Sequence, residues 1–309
     1  MTQTKRRTRS RKLSRSTITV DRYTSDVNPF LEKGNPMAAS RSVFFISDRT
    51  GITAETLGQS LMTQFPLASN PVSLPFTDSP DAVDDAIARI EAAGQTSGER
   101  PIVFSTIIDA GLRNRLRRVN AVVFDFFDTF IAPLESELGM ESSHTIGQSH
   151  GMADPRAYNL RIDAMNYALS ADDGAVVRHY EQADVILLGV SRSGKTPSCI
   201  YLALHYGIFA ANYPLTDDDL LSGRLPEVLR PHRHHIYALT IRPERLAQIR
   251  AERRANSRYA SLRQCQYEVA RAEGLFHQEK LPYSDTTTMS IEELAATIIQ
   301  TCQLPRRLY

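Results

Sequence analysis

The sequence predicts an α/β protein with mostly parallel sheets, built as two α/β halves after a basic tail. Short apolar runs alternate with helical patterns along most of the chain, which is the order of βαβ units. A weakly patterned stretch, 133–154, interrupts that alternation. Later in the chain, an apolar run at 185–188 leads directly into a phosphate-binding motif at 189–196. We therefore expect a disordered basic tail (1–40), an N-terminal α/β half (41–175) and a nucleotide-binding half (176–309).

The N-terminal half is predicted to contain four strands, with helices between them. The predicted strands are 43–46, 72–76, 102–105 and 121–127. The predicted helices are 53–65, 81–93 and 109–118. Residues 133–154, where Gly, Ser, His and Pro recur, indicate a surface loop or a crossing between the halves. A helix over 156–169 and a turn at Asp172-Asp173-Gly174 close this half.

The second half is predicted to start with a buried strand over 185–190. A helix over Lys195–Tyr206 follows, with Pro197 in its first turn and Gly207 as its C-terminal cap. The elements predicted next are an extended segment, a strand and a helix, at 209–215, 236–241 and 243–256. A last helix begins at Ser290, because Ser290 and Glu293 have the spacing of a capping box.

Composition excludes several classes of protein. The 309 residues are 42% hydrophobic, but no run approaches the roughly 20 apolar residues of a membrane span. No secretory signal is legible either, so we expect a cytoplasmic protein. Three cysteines, Cys199, Cys265 and Cys302, lack C-x-x-C spacing and are expected to be reduced thiols with packing roles.

Charge is distributed unevenly along the chain. Residues 1–40 carry nine Lys or Arg and three Asp or Glu, a local net charge of +6. Because the net charge of the whole chain is +1, the remaining residues have a net charge of about −5. A solvated extension is the expected role of this tail. A nucleic-acid arm and an organelle transit peptide stay open as alternatives, although the acidic remainder argues against a broad nucleic-acid surface.

A complete G-x-x-x-x-G-K-[ST] motif is the clearest functional signal in the sequence. Its glycines let the backbone wrap closely, so that successive N–H groups point at phosphate oxygens. The lysine supplies a cation to the terminal phosphates, and the threonine hydroxyl is a ligand for Mg²⁺. The predicted nucleotide-binding residues are Gly189, Val190, Ser191, Arg192, Ser193, Gly194, Lys195 and Thr196.

Phosphoryl transfer also requires a base or a hydroxyl-orienting carboxylate. Asp48, at the end of the first predicted strand, is the leading candidate; its alternative role is to cap the helix near Thr53. Asp125 ends an apolar run in a Walker-B-like pattern and could steady Mg²⁺, or simply form a turn. Asp172 and Asp173 favour a turn, with metal or base duty as the alternative.

Other polar residues give weaker signals. Arg192 is expected either to reach a phosphate or to point into solvent. The arginines of the helix after Arg242 indicate a solvated face or a docking site for a partner protein; they are Arg245, Arg250, Arg253, Arg254 and, just beyond, Arg258. A strand-edge cluster is favoured over a metal site for His232, His234 and His235. The sequence gives only a weak indication that His144 and His150 contact a phosphate.

Five segments together resemble the phosphoenolpyruvate synthase regulatory proteins. They are 45–55 (FISDRTGITAE), 189–197 (GVSRSGKTP), 211–214 (ANYP), 239–246 (LTIRPERL) and 256–260 (NSRYA). The resemblance runs from about residue 43 to the C-terminus and omits only the basic tail. Arg49 and Gly51 depart from the residues expected between Ser47 and Thr53, so the role of that turn stays open.

The resemblance implies a bifunctional enzyme that switches phosphoenolpyruvate synthase (pyruvate, water dikinase) off and on at one threonine. As a kinase it would use ADP and release AMP, with Lys195, Asp48 and Asp125 as catalytic candidates and Mg²⁺ at Thr196. In the reverse regulation it would use inorganic phosphate and release pyrophosphate. A homodimer is left open.

Two other kinds of enzyme stay possible at this stage. A sister branch of the family acts on pyruvate, phosphate dikinase, but its loops commonly carry Ser-Lys-Thr where this chain has Gly194, Lys195 and Thr196. The segment 261–265 (SLRQC) also favours the synthase branch. A small-molecule kinase or GTPase would explain the phosphate loop but not the other matching segments.

Overall fold

A computed structural model describes residues 40–143, 155–172 and 177–308. These residues form two compact units, one up to residue 143 and one from residue 155 onward. Residues 1–39 of the predicted basic tail lie outside the described ranges, as do His144, His150 and Asp173. Among the described helices, none combines the length and the apolarity needed to cross a lipid bilayer.

The first unit is an α/β sheet structure. Its four strands are all parallel and lie in the order β2-β1-β3-β4. The elements are β1 (Arg41–Ile46), α1 (Ile52–Met62), β2 (Ser69–Leu74), α2 (Pro80–Ser97), β3 (Ile102–Ser105), α3 (Ala110–Leu116), β4 (Val122–Asp125) and α4 (Phe126–Leu138). The predicted alternation of strands and helices is therefore confirmed in this unit.

Side chains of β1 fill both faces of the first sheet, because neighbouring residues of a strand point to opposite sides. Phe44 and Ile46 join a core on one face, whereas Val43 and Phe45 join a core on the other. Burial of β1 on both faces explains the nearly continuous apolar run from which this strand was predicted.

Helix α4 is the main departure from the predicted first half. The sequence predicted one strand over 121–127 and an irregular stretch from residue 133, but β4 ends at Asp125 and α4 runs to Leu138. The carboxylate of Asp125 accepts a hydrogen bond from the Asp128 N–H at 3.0 Å and so starts the helix. The apolar run therefore contains a strand end and a helix start, and Pro133 is accommodated inside the helix.

The second unit has the same architecture with more helices. Its four strands are also all parallel and lie in the order β6-β5-β7-β8. The elements are α5 (Pro155–Ser170), β5 (Val185–Gly189), α6 (Lys195–Tyr206), β6 (Ala210–Pro214), α7 (Asp217–Ser222), β7 (Ile236–Thr240), α8 (Pro243–Arg253), α9 (Leu262–Gln278), β8 (Tyr283–Asp285) and α10 (Ile291–Cys302).

Strand β5 lies at the centre of the second core, and all five of its residues are buried. One face packs in a cluster with residues of α9, and the other with residues of α5, α6 and α10. Helix α5 was expected in the N-terminal half, but its Ala164 and Ala168 belong to this second cluster. The structural division therefore falls before α5 rather than at residues 175 and 176.

The end of the chain contains elements that the sequence analysis did not predict, namely α7, α9 and β8. The last helix begins as predicted. Ser290 and Glu293 form a reciprocal capping box, in which each side chain accepts a hydrogen bond from the other residue's backbone N–H. This contact satisfies two N–H groups that the helix itself leaves unpaired.

Candidate functional site

The phosphate-binding motif connects β5 to α6 at the carboxyl edge of the second sheet. Strand β5 is flanked by β6 on one side and β7 on the other, so the loop emerges from the middle of the sheet. The carboxyl edge of a parallel sheet is the usual place for ligand sites in α/β proteins. The predicted strand, loop and helix around the motif are confirmed.

Two glycines give the loop its shape. A Cβ atom on Gly189 would lie 2.5 Å from the carbonyl oxygen of Leu239 and 2.8 Å from Ser193 Oγ, so a side chain cannot fit there. Gly194 has φ of 91° and begins α6, a conformation that favours glycine. Arg192 also has a positive φ, 75°, and a non-glycine residue in this conformation is a strain often found at functional sites.

Lys195 is buried within the loop that it belongs to. It is 4% exposed, and its Nζ donates a hydrogen bond to the carbonyl oxygen of Val190 at 2.8 Å. The ammonium group therefore lies against the loop backbone, beside the N-terminus of α6. The first-turn N–H groups of a helix lack intrahelical partners, and the helix dipole makes this end positive. The loop combines these features of an anion site.

Ser193 carries a buried hydroxyl group that has no hydrogen-bond partner among the described residues. The residue is 1% exposed, and its Oγ makes no hydrogen bond within the described part of the chain. Such buried polar groups are uncommon and call for a ligand or an ordered water. The glycine-lined turn fits a phosphate group, which would accept hydrogen bonds from the α6 N-terminus and from Lys195.

Thr196 contacts two side chains from outside the loop. Its Oγ1 donates a hydrogen bond to Asp172 Oδ1 at 2.8 Å. The amide nitrogen of Asn212, on β6, donates to the same carboxylate oxygen and lies 3.4 Å from Thr196 Oγ1. Asp172 therefore does more than form the turn after α5, because it holds the threonine predicted to bind Mg²⁺.

Arg250 ties the loop to the helices that follow the sheet. Its side chain is fully buried, and its two terminal nitrogens form paired hydrogen bonds with the carboxylate of Glu268 on α9, at 3.1 and 2.6 Å. One of these nitrogens also donates to the carbonyl oxygen of Ser191 at 3.0 Å. The solvated face expected for this position is therefore wrong, although Arg245 on the same helix is exposed.

Two further residues hold the loop from other sides. Tyr259 stacks under the Arg250 guanidinium, 4.1 Å from ring centre to Cζ, and its hydroxyl lies 3.0 Å from Ser191 Oγ. After β8, the Thr286 hydroxyl is within 3.1 Å of the carbonyl oxygens of both Ser193 and Thr240. The loop is therefore braced by segments from three places beyond it in the chain.

Asp48 is buried at the carboxyl edge of the first sheet, 4% exposed. Its carboxylate accepts a hydrogen bond from the Ile108 N–H at 2.9 Å. Burial raises the pKa of Asp48 above its ordinary value, outweighing this hydrogen bond. The alternative role as a cap of α1 is wrong, because the N-cap residue is Gly51 and no side chain caps that helix.

Asp125 caps α4 and lies at the carboxyl edge of the same sheet. It is 9% exposed, with terminal nitrogens of Arg113 and Arg117 each 4.0 Å from its Oδ2. Burial raises its pKa, and this effect outweighs the nearby cations and the capping N–H. The Walker-B-like role of Asp125 stays a prediction, and its capping contact is a sufficient structural reason for an aspartate here.

The kinase/pyrophosphorylase family model matches residues 43–299 of this chain. The chain belongs to that family. Three similar bacterial relatives each carry the name "putative phosphoenolpyruvate synthase regulatory protein". The protein of Alkalilimnicola ehrlichii is 61% identical over 271 residues, which are 88% of this chain and 99% of the relative. The proteins of Halorhodospira halophila and Hahella chejuensis are 59% and 52% identical, over 88% and 87% of this chain and 100% and 99% of theirs.

The structure also places two other features that the sequence singled out in this kinase/pyrophosphorylase, Arg192 and the histidines before β7. Arg192 is exposed and forms no ion pair with the described residues, so its predicted phosphate contact stays a prediction. No group of three or more His, Cys, Asp or Glu within the described ranges could hold a metal ion. His232, His234 and His235 directly precede β7, at the strand edge that the sequence favoured for them.

Proposed function

We propose that this kinase/pyrophosphorylase is a bifunctional regulator of phosphoenolpyruvate synthase (pyruvate, water dikinase). In one direction it transfers the β-phosphoryl group of ADP to a threonine of the synthase and inactivates it. In the other it uses inorganic phosphate to remove that group and restores activity. The family and the names of the relatives support this proposal. The structural observation that supports it is the glycine-shaped phosphate loop, with Gly189 and Gly194 at its turns and Lys195 buried against its backbone.

The kinase direction follows from what this site can hold. ADP ends in its β-phosphate, so the loop amides and Lys195 would contact the group that moves. The threonine oxygen attacks the β-phosphorus, the bond to the bridging oxygen breaks, and AMP leaves. The hydroxyl proton passes to a carboxylate base. Mg²⁺, when bound at Thr196, would neutralise charge on the diphosphate.

The removal direction would use the same anion site. Inorganic phosphate in the loop attacks the phosphorus of the phosphothreonine, the bond to the threonine oxygen breaks, and that oxygen takes up a proton. The product is pyrophosphate. Positioning the attacking oxygen and cancelling charge on the moving group are the main tasks of a protein in such transfers. One site for both directions requires Lys195 in both.

Purified phosphoenolpyruvate synthase provides the test. We expect ADP to add one phosphoryl group to a synthase threonine, detected by mass spectrometry, and phosphate to remove it with release of pyrophosphate. Lys195→Ala should abolish both reactions, whereas the exposed Lys280→Ala is the matched control and should retain them. Retention of either reaction by Lys195→Ala would contradict the shared site. Modification of pyruvate, phosphate dikinase or a small molecule instead of the synthase would overturn the proposed target.

A further inference from the structure

The Asp172 carboxylate accepts two hydrogen bonds at one of its oxygens. Oδ1 accepts hydrogen bonds from Thr196 Oγ1, at 2.8 Å, and from the amide of Asn212. Among the described residues, both groups that hold the carboxylate are uncharged, because one is a hydroxyl and the other an amide.

Asn212 fixes this carboxylate without neutralising it. Asn212 is fully buried on β6, next to β5. Because its amide is uncharged, it orients Asp172 and leaves the full negative charge in place. A lysine or arginine here would hold the carboxylate equally well but would cancel the charge that a metal ion needs. The contact between Asp172 and Asn212 is therefore suited to a site for a cation.

Neither strand beside β5 ends in a carboxylate residue, although Glu273 of α9 accepts a hydrogen bond from Thr240 at 2.7 Å. Strand β6 ends at Pro214 and β7 at Thr240, whereas in phosphate-loop enzymes a neighbouring segment provides an aspartate for Mg²⁺. Mg²⁺ keeps several waters and needs only one or two protein oxygens beside the phosphates. One hydroxyl and one carboxylate are therefore sufficient at this position, even though no all-protein metal cage exists among the described residues.

We propose that Asp172, oriented by Asn212, is the carboxylate that holds Mg²⁺ beside Thr196 when a nucleoside diphosphate occupies the loop. The hydrogen bond from Thr196 directs the hydroxyl proton toward Asp172, and the lone pair of Thr196 that does not accept from Asn212 would be available to the metal. Asp172 takes the Mg²⁺ role that the sequence pattern had suggested for Asp125. The inference depends on the proposed function only for its ligand, ADP.

Calorimetry of ADP binding, with Mg²⁺ and with a chelator, tests this role without any turnover. Mg²⁺ should increase the ADP affinity of the unaltered chain. Asp172→Asn should lose about 10- to 100-fold of that increase and should bind metal-free ADP as well as the unaltered chain or better. Asp218→Asn is the matched control, because Asp218 is an exposed aspartate of the same unit, and it should behave as the unaltered chain.

Substitutions of Thr196 provide a second measurement, independent of how well Asp172→Asn folds. Thr196→Ser keeps the hydroxyl and should keep the Mg²⁺ effect, whereas Thr196→Val should lose it. An unchanged Mg²⁺ effect in Asp172→Asn would overturn the inference, as would an equal loss of affinity with and without Mg²⁺, which indicates a purely structural role.

The same data separate this inference from the proposed function. Absence of ADP binding by the unaltered chain in both conditions would overturn both. Mg²⁺-dependent ADP binding that requires Asp172, without modification of the synthase, would support the metal site and overturn only the proposed target.

Discussion

Arg250 illustrates at the scale of one residue how the phosphate loop depends on the protein interior. A fully buried guanidinium is costly unless its charge and its donors are satisfied, and Glu268 and the Ser191 carbonyl satisfy most of them. Burial alone would lower the pKa of Arg250, but the hydrogen bonds and charge of Glu268 outweigh it and raise the pKa. The residue therefore remains charged and holds Ser191 in place.

Removing this guanidinium should destabilise the fold strongly. Arg250→Met leaves Glu268 buried without its partner and should lower the free energy of unfolding by about 3–5 kcal/mol, measured by urea denaturation. The double variant Arg250→Met with Glu268→Met should recover most of that loss. It should still bind ADP weakly, because Ser191 no longer has its donor. Exposed Arg245→Met on the same helix is the control, and an effect as large there would refute the argument.

Asp48 should make the stability of the protein depend on pH. Its raised pKa means that the folded state favours the protonated form, so its contribution to stability is complete below the ordinary pKa of 3.8 and is lost as pH rises through the raised value. Asp48→Asn keeps an acceptor for Ile108 and carries no charge. The melting temperature of Asp48→Asn, measured by calorimetry, should therefore exceed that of the unaltered chain by an amount that increases from about pH 3 to about pH 7.

The exposed Asp85→Asn serves as the control for this comparison and should show a difference that is flat with pH. A flat difference for Asp48→Asn would contradict the burial argument. Loss of kinase activity in Asp48→Asn despite a higher melting temperature would favour its candidate role as the base.

At the scale of elements, local sequence patterns predicted most strands and the strand, loop and helix of the nucleotide site. The error at 121–127 arose because one apolar run continues from β4 into α4, and only the cap at Asp125 separates them. The partners of the loop could not be predicted in the same way. Asp172 and Arg250 contact it across 24 and 59 residues of sequence, and their contacts arise only when the unit has folded.

Gly189 should be intolerant of even one added carbon atom. In Gly189→Ala the new Cβ would collide with the Leu239 carbonyl of β7, and separating two paired central strands should cost about 1–3 kcal/mol of unfolding free energy. ADP binding should be lost with it, as calorimetry would show. Gly274→Ala on α9 has no atom within 4 Å of the new Cβ and should stabilise by about 0.5–1 kcal/mol. Equal behaviour of both variants would refute this.

At the scale of the whole molecule, the sequence predicted two α/β halves but not where they divide. Helix α5 was assigned to the first half because the predicted turn at 172–174 follows it and the strand of the phosphate loop comes only after that turn. Its buried alanines nevertheless pack with α6 and the second sheet. An amphipathic pattern shows which face of a helix is buried, but not against which sheet.

The basic tail should be dispensable for both proposed reactions. The family match begins at residue 43, and the Alkalilimnicola relative aligns over 99% of its own length with only 88% of this chain. A chain lacking residues 1–39 should therefore modify and restore phosphoenolpyruvate synthase at rates within about twofold of the full chain. A larger decrease in either rate would show that the tail contributes to the reaction. If the full chain binds nucleic acid in a salt-sensitive way and the shortened chain does not, the tail is a nucleic-acid-binding arm.

Because Arg250 and Thr286 connect the phosphate loop to segments far beyond it, nucleotide occupancy and the integrity of the last third of the chain are thermodynamically linked. A ligand that binds only the intact loop makes every opening of those segments less frequent. Amide protection in α8 and α9 therefore reports whether the site is filled, even though neither helix belongs to the motif.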